Sequence, residues 1–154
     1  MVNTAQTAPG RLEEVRALLN TWVIPNDTRV GTDLFDGDPE IRELRDDLRR
    51  VVEGADPQLI NPWIGRLAMR PVIDSSGLSW AGSGAGSVLL AAVLSAISEG
   101  TWARLKSCPD CRWVFYDHTR NGSKRWCLMT AGGPSGRSCG SIAKVRAYRA
   151  RASA

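Results

Sequence analysis

At 154 residues, with 43% hydrophobic and 23% charged side chains, the chain has the size of one ordinary domain, or of a modest domain with a small appendage, and a composition that excludes wholesale disorder. Its formal net charge of +4 hides a division: residues 1–103 hold 9 Lys and Arg against 14 Asp and Glu, whereas residues 104–154 hold 11 against 2. An acidic body with a basic tail points the tail, and not the body, at a polyanion.

The polar opening Met1-Val2-Asn3-Thr4-Ala5-Gln6-Thr7 lacks the basic stretch and apolar run of a secretory signal, so a cytoplasmic protein is expected. Residues 11–23 carry Leu12, Val15, Leu18, Leu19 and Trp22 at three- and four-residue spacing, predicting an amphipathic helix that ends before Pro25. The stretch 26–37, rich in Asp, Gly and Thr, reads as a surface loop. Asp38-Pro39-Glu40 then supplies a cap, a first-turn proline and an acid near the positive helix end, and the stripe Ile41, Leu44, Leu48, Val51, Val52 runs to Gly54. Between residues 61 and 80, short apolar pieces (67–69, Val72-Ile73 and 78–80) among prolines and glycines predict short strands or extended segments.

Gly82-Ser83-Gly84-Ala85-Gly86-Ser87 precedes the most apolar helix, residues 88–98, which Gly100 stops. Backbone amides at a helix start favour anions, but no Gly-Lys-Ser/Thr follows and no acidic residue sits where a dinucleotide fold needs one. A flexible surface connector is therefore preferred to a phosphate cradle. The apolar run 88–97 is half of the roughly 20 residues that a membrane span needs, so no membrane anchor is expected. Residues 101–106 are read as an extended lead into the cysteine region.

All four cysteines fall within the last 47 residues. Cys108-Pro109-Asp110-Cys111 lets a tight turn aim two sulfurs at one ion, and Cys127 and Cys139 can complete a closed tetrahedral set. Residues 112–116 read as a strand, and Asn121-Gly122 as the turn of a hairpin returning through 123–126 toward the same ion. Zinc would thus replace a hydrophobic core that so short a segment can hardly build. Two disulfides are disfavoured in a cytosolic protein, and a redox Cys-x-x-Cys wants its second cysteine in a helix. His118, the single histidine, is the rival ligand near the expected hairpin tip. Four thiolates leave no open position, so the metal is expected to be structural.

Trp113, Phe115, Tyr116 and Trp126 are read mostly as core beside the metal, with base stacking by an exposed ring as the lesser alternative. Ser141 is the candidate cap of a helix over 142–151 whose Ile142, Val145 and Tyr148 form the docking stripe. Lys144, Arg146, Arg149 and Arg151, with Lys124 and Arg125 and beside Arg120 and Arg137, are the candidate nucleic-acid contacts. A merely solvated charged face is the alternative, against which stands the absence of any acid after Asp117.

Arg104-Leu105-Lys106, the pair Cys108 and Cys111, Trp113-Val114-Phe115-Tyr116-Asp117, Arg120-Asn121, Arg125-Trp126-Cys127 and Ala143-Lys144-Val145-Arg146-Ala147-Tyr148-Arg149-Ala150-Arg151 together resemble the CGNR zinc-finger family. Its members are bacterial proteins with an N-terminal ABATE domain, described as stress-induced transcription regulators. Val2-Asn3-Thr4, and the run from the 88–98 helix into Trp102-Ala103-Arg104-Leu105, resemble the two ends of an ABATE domain. Two departures stand out. The motif that names the family occurs as Cys139-Gly140-Ser141-Ile142, without its Asn and Arg, and Gly132-Gly133-Pro134-Ser135-Gly136 looks like an insertion.

The sequence thus predicts an α+β chain: a mainly helical N-terminal domain (1–103, ABATE-like) with a few short strands, and a zinc module (104–154) of hairpin and basic helix. The metal ligands are Cys108, Cys111, Cys127 and Cys139. The expected partner is DNA, in a regulator whose N-terminal domain senses a signal or forms a homodimer. A zinc ribbon docking protein partners or RNA is the second reading. One histidine, no nucleophile–base pair and a closed metal site argue against an enzyme.

Overall fold

The computed structural model describes residues 4–128, 130–131 and 136–153. Helix α1 (Leu12–Leu19) buries Leu12, Val15 and Leu19. The helix predicted to residue 23 therefore ends a turn early. Asn20, which follows its last turn, turns its amide onto residue 114, with Nδ2 donating to the Val114 carbonyl and Oδ1 accepting from the Val114 amide, both at 2.8 Å. Trp22 and Val23, side chains that favour pleated surfaces, become β1 (Trp22–Val23) and pair antiparallel with β2 (Thr32–Asp33). The stretch read as a plain loop thus contains a strand.

Helix α2 (Pro39–Val52) forms as its stripe and cap predict: Asp38 accepts from the Glu40 amide at 2.8 Å, and Leu44 and Leu48 are fully buried. The same helix buries two arginines. Arg45 holds Asp33 by a two-pronged pair at 2.6 and 2.8 Å and also donates to Thr21 Oγ1; Arg49 donates to the Leu19 carbonyl at 2.6 Å. Buried guanidiniums so satisfied fix the β1–β2 hairpin on the helix.

Residues 61–66, ahead of the predicted extended pieces, form helix α3 (Asn61–Arg66). Pro62 is tolerated in its first turn, and Trp63 is buried with its indole N–H donating to Asp47 at 2.9 Å. The predicted extended pieces beyond are real, as the antiparallel hairpin β3 (Arg70–Asp74) and β4 (Gly77–Ala81), although Leu67 and Ala68 form a turn. The glycine-rich connector is packed, not loose: a Cβ on Gly82 would lie 2.7 Å from the Leu67 carbonyl oxygen, so only glycine permits this approach. Helix α4 (Ser87–Ser98) follows, then a 3-10 turn at Trp102–Arg104 that replaces the first part of the expected extended lead.

The main core gathers α1, α2, α3 and α4 and runs on, without a break at residue 103, to Leu105, Val114 and Tyr116. Among the described residues no helix is long and apolar enough to cross a membrane.

Candidate metal centre

β5 (Leu105–Ser107) and β6 (Val114–Tyr116) pair antiparallel, with Lys106 opposite Phe115. This corrects the expected hairpin: the partner of residues 114–116 precedes the first cysteine pair and does not follow it. Side chains alternate across a strand, so Val114 and Tyr116 enter the main core while Phe115 joins a second, small core with the four cysteines, flanked by Trp113 and Trp126. Tyr116, expected beside the metal, therefore belongs to the body.

The pair Cys108 and Cys111 caps this hairpin. The Cys108 amide donates to the Trp113 carbonyl and the Arg112 amide to the Cys108 carbonyl, both at 2.9 Å, and Arg112 takes φ +58° to close the knuckle. Its guanidinium pairs with Glu53 and lies 4.8 Å from the Trp22 ring, which Arg49 faces at 4.7 Å. Arg49 Nη2 also donates to the Arg112 carbonyl at 3.1 Å. The knuckle is thereby clamped to the body.

The return path, residues 118–126, forms no strand. Asp117, fully buried, organises it: Oδ1 accepts from the Thr119 amide and hydroxyl at 2.9 and 2.6 Å, and Oδ2 from Lys106 Nζ and the Lys124 amide at 2.8 and 2.9 Å. Burial pushes this carboxyl up, but the Lys106 ammonium and the Thr119 and Lys124 donors outweigh it and hold the group well below the usual carboxylate range. The role of Asp117 was missed. Its one sequence signal was an acid standing among basic residues.

Beyond Cys127, β7 (Thr130–Ala131) pairs with β8 (Arg137–Ser138), and α5 (Cys139–Ala152) begins on the fourth cysteine. Most of the glycine-rich insertion, residues 132–135, lies outside the described residues, as does the Val2-Asn3 part of the N-terminal likeness. The cap is Ser138 and not Ser141: Ser138 Oγ accepts from the Ser141 amide, and Ser141 Oγ donates to the Ser138 carbonyl at 2.9 Å. Gly140 touches Trp126, for a Cβ there would lie 3.2 Å from the indole.

The four sulfurs lie within 4.8 Å of one another and are buried, the cysteines being 0–3% exposed. None is in a disulfide. Cys111 and Cys127 sulfurs are 3.4 Å apart and Cys127 and Cys139 sulfurs 3.7 Å. A tetrahedral zinc with bonds of about 2.3 Å needs sulfurs about 3.8 Å apart, so the set fits that ion. The chemistry agrees. Hydrogen bonds from Cys111 and Cys127 pull the Cys108 thiol down, while burial and then the charge of Cys111 and Cys108 push Cys139 up. Four thiolates cannot share this pocket without a cation. His118 is not among them: it is exposed, its ring Nε2 2.7 Å from the Thr7 carbonyl, and it stacks edge-on with Tyr116.

The basic residues divide. Lys124 lies 5.3 Å from the Phe115 ring and Arg125 5.7 Å from the Trp126 ring. Lys144, Arg149 and Arg151 are exposed on α5. Arg146, also exposed, pairs at 3.1 Å with Asp110, which receives Arg29 of the β1–β2 loop at 3.2 Å.

A buried four-cysteine cluster drawn from a hairpin knuckle, the return loop and a helix start defines a zinc-binding module. Residues 104–152 match the family model of the CGNR zinc finger. No curated protein matches the chain.

Proposed function

We propose that the chain is a DNA-binding transcription regulator, stress-related as its likeness implies, in which the zinc module meets duplex DNA and the ABATE-like body senses a signal or assembles copies. It binds and does not catalyse. One observation carries this reading: from residue 118 to the end there are eight Lys or Arg and no Asp or Glu, and four of the eight stand exposed on a helix whose first residue belongs to the cysteine cluster. Such a helix is fixed at its base by the metal and free along its flank. A sensing body is supported by a cavity of about 610 Å³ between the chain before α1, β4 and the Ala91, Ala92 and Ser95 flank of α4, a size that suits a small organic molecule.

The test is binding of the zinc-loaded chain to a duplex as a function of salt. With roughly four to six phosphates neutralised, log affinity falls against log salt with a slope of about −4 to −5. Absence of binding at about 50 mM salt, where the electrostatic contribution is large, sinks this reading in favour of a zinc ribbon that docks protein or RNA.

A further inference from the structure

Helix α5 has two unlike flanks. At 3.6 residues per turn, Ile142, Val145, Arg146 and Arg149 share one side, and Lys144, Tyr148 and Arg151, at i, i+4 and i+7, share the other. On the first side Ile142 and Val145 are half-buried and Arg146 is tied to Asp110. Along the second, all three side chains are exposed, Tyr148 at 70%. Tyr148 therefore does not complete the docking stripe that its spacing with Ile142 and Val145 suggested. It stands in solvent between two cations.

We propose that the line Lys144–Tyr148–Arg151 is the surface with which α5 meets duplex DNA, the two cations taking phosphates and Tyr148 facing the bases between them. The inference rests on the DNA-binding reading above and goes further by naming the face and its division of labour. Charge complementarity selects the partner, since no acid follows Asp117 to repel a phosphate backbone. Length agrees too. Seven helical residues span about 10 Å, close to the roughly 12 Å width of the major groove, so Lys144 and Arg151 can reach the backbones on its two sides. A phenol between them offers a ring to thymine methyls and a hydroxyl to base edges, which a purely electrostatic face would not need. Arg146, held by Asp110, keeps the opposite flank against the knuckle and turns this line outward.

The experiment uses the full zinc-loaded chain, a 20-base-pair duplex selected from a random pool, and poly(dI-dC) as the unselected duplex. Lys144→Ala and Arg151→Ala should each shrink the salt slope by about 1 and weaken both duplexes alike, as phosphate contacts do. Tyr148→Ala should leave the slope unchanged, cost the selected duplex about tenfold, and cost poly(dI-dC) less than about twofold. Tyr148→Phe should retain most of that preference if the ring makes the contact. Zinc content and far-UV circular dichroism confirm that each variant is folded. The proposal is overturned if Tyr148→Ala leaves both duplexes unaffected, or if Arg146→Ala and Arg149→Ala shrink the slope while Lys144→Ala and Arg151→Ala do not. Either result would leave DNA binding itself standing, whereas a wild type that binds neither duplex brings down both readings.

Discussion

Asp117 shows how one buried carboxylate can replace a strand. The segment returning to Cys127 has no ladder of its own, yet both Asp117 oxygens are satisfied by residues 106, 119 and 124. Because these donors favour the charged form, Asp117 contributes stability that is complete above the unfolded value near about 4 and is lost only as pH falls through the lower folded value. Asp117→Asn should therefore cost about 2–4 kcal/mol, since it leaves the Lys106 ammonium without its anion and, with an amino group in place of Oδ2, the Lys124 amide without its acceptor. Urea denaturation checks this, and the difference from wild type should be constant between about pH 5 and 8, where a depressed carboxyl does not titrate. A difference that shrinks across that range would mean that Asp117 titrates there.

At the scale of elements, α5 is the least embedded helix. Only Cys139 is buried along its 14 residues, and beyond the first turn the half-buried Val145 is joined by the Arg146–Asp110 ion pair. Asp110 is 4% exposed in its side chain, yet its Oδ2 has no hydrogen-bond partner among the described residues. Both guanidiniums meet Oδ1. Asp110→Asn removes the charge that joins Arg29, the knuckle and α5, so amide hydrogen exchange over residues 142–152 should accelerate severalfold while zinc content is unchanged. Unaltered exchange would show that the cysteine ligand alone sets the helix direction.

For the whole molecule, the metal and the body share one hairpin. Phe115 faces the cysteines while Val114 and Tyr116 on either side face the main core, and Arg49, Trp22, Glu53 and Arg112 clamp the knuckle to α2. The sequence-based division at residue 103 would leave the body without Leu105, Val114 and Tyr116, side chains whose burial is worth roughly 1.5–3 kcal/mol for one of this size. Cysteine substitution in an independent tail would spare the N-terminal helices; here it should not. Chelation of zinc under reducing conditions should lower the melting temperature of the entire chain by more than about 10 °C, in one transition seen equally by tryptophan fluorescence and far-UV circular dichroism. Two separated transitions would restore the independent-module view.

What the sequence determined by itself was local. The Asp38-Pro39-Glu40 start and apolar stripe of α2, the helix that Gly100 follows, and the Cys-Pro-Asp-Cys turn all depend on contacts within a few residues, which spacing encodes directly. Four clustered thiols made the metal site legible as well, although His118 stayed a rival ligand until the structure placed its ring beside Thr7 and Tyr116. The tertiary structure decided what depends on partners distant in the chain. Trp22 and Val23 left the helical pattern because Thr32 and Asp33 pair with them, and residues 114–116 found their strand partner upstream because Leu105 and Tyr116 share the body's core. Tyr148 fitted the apolar period of α5 but remained in water, since helical spacing says which residues share a side and only packing says which side is covered.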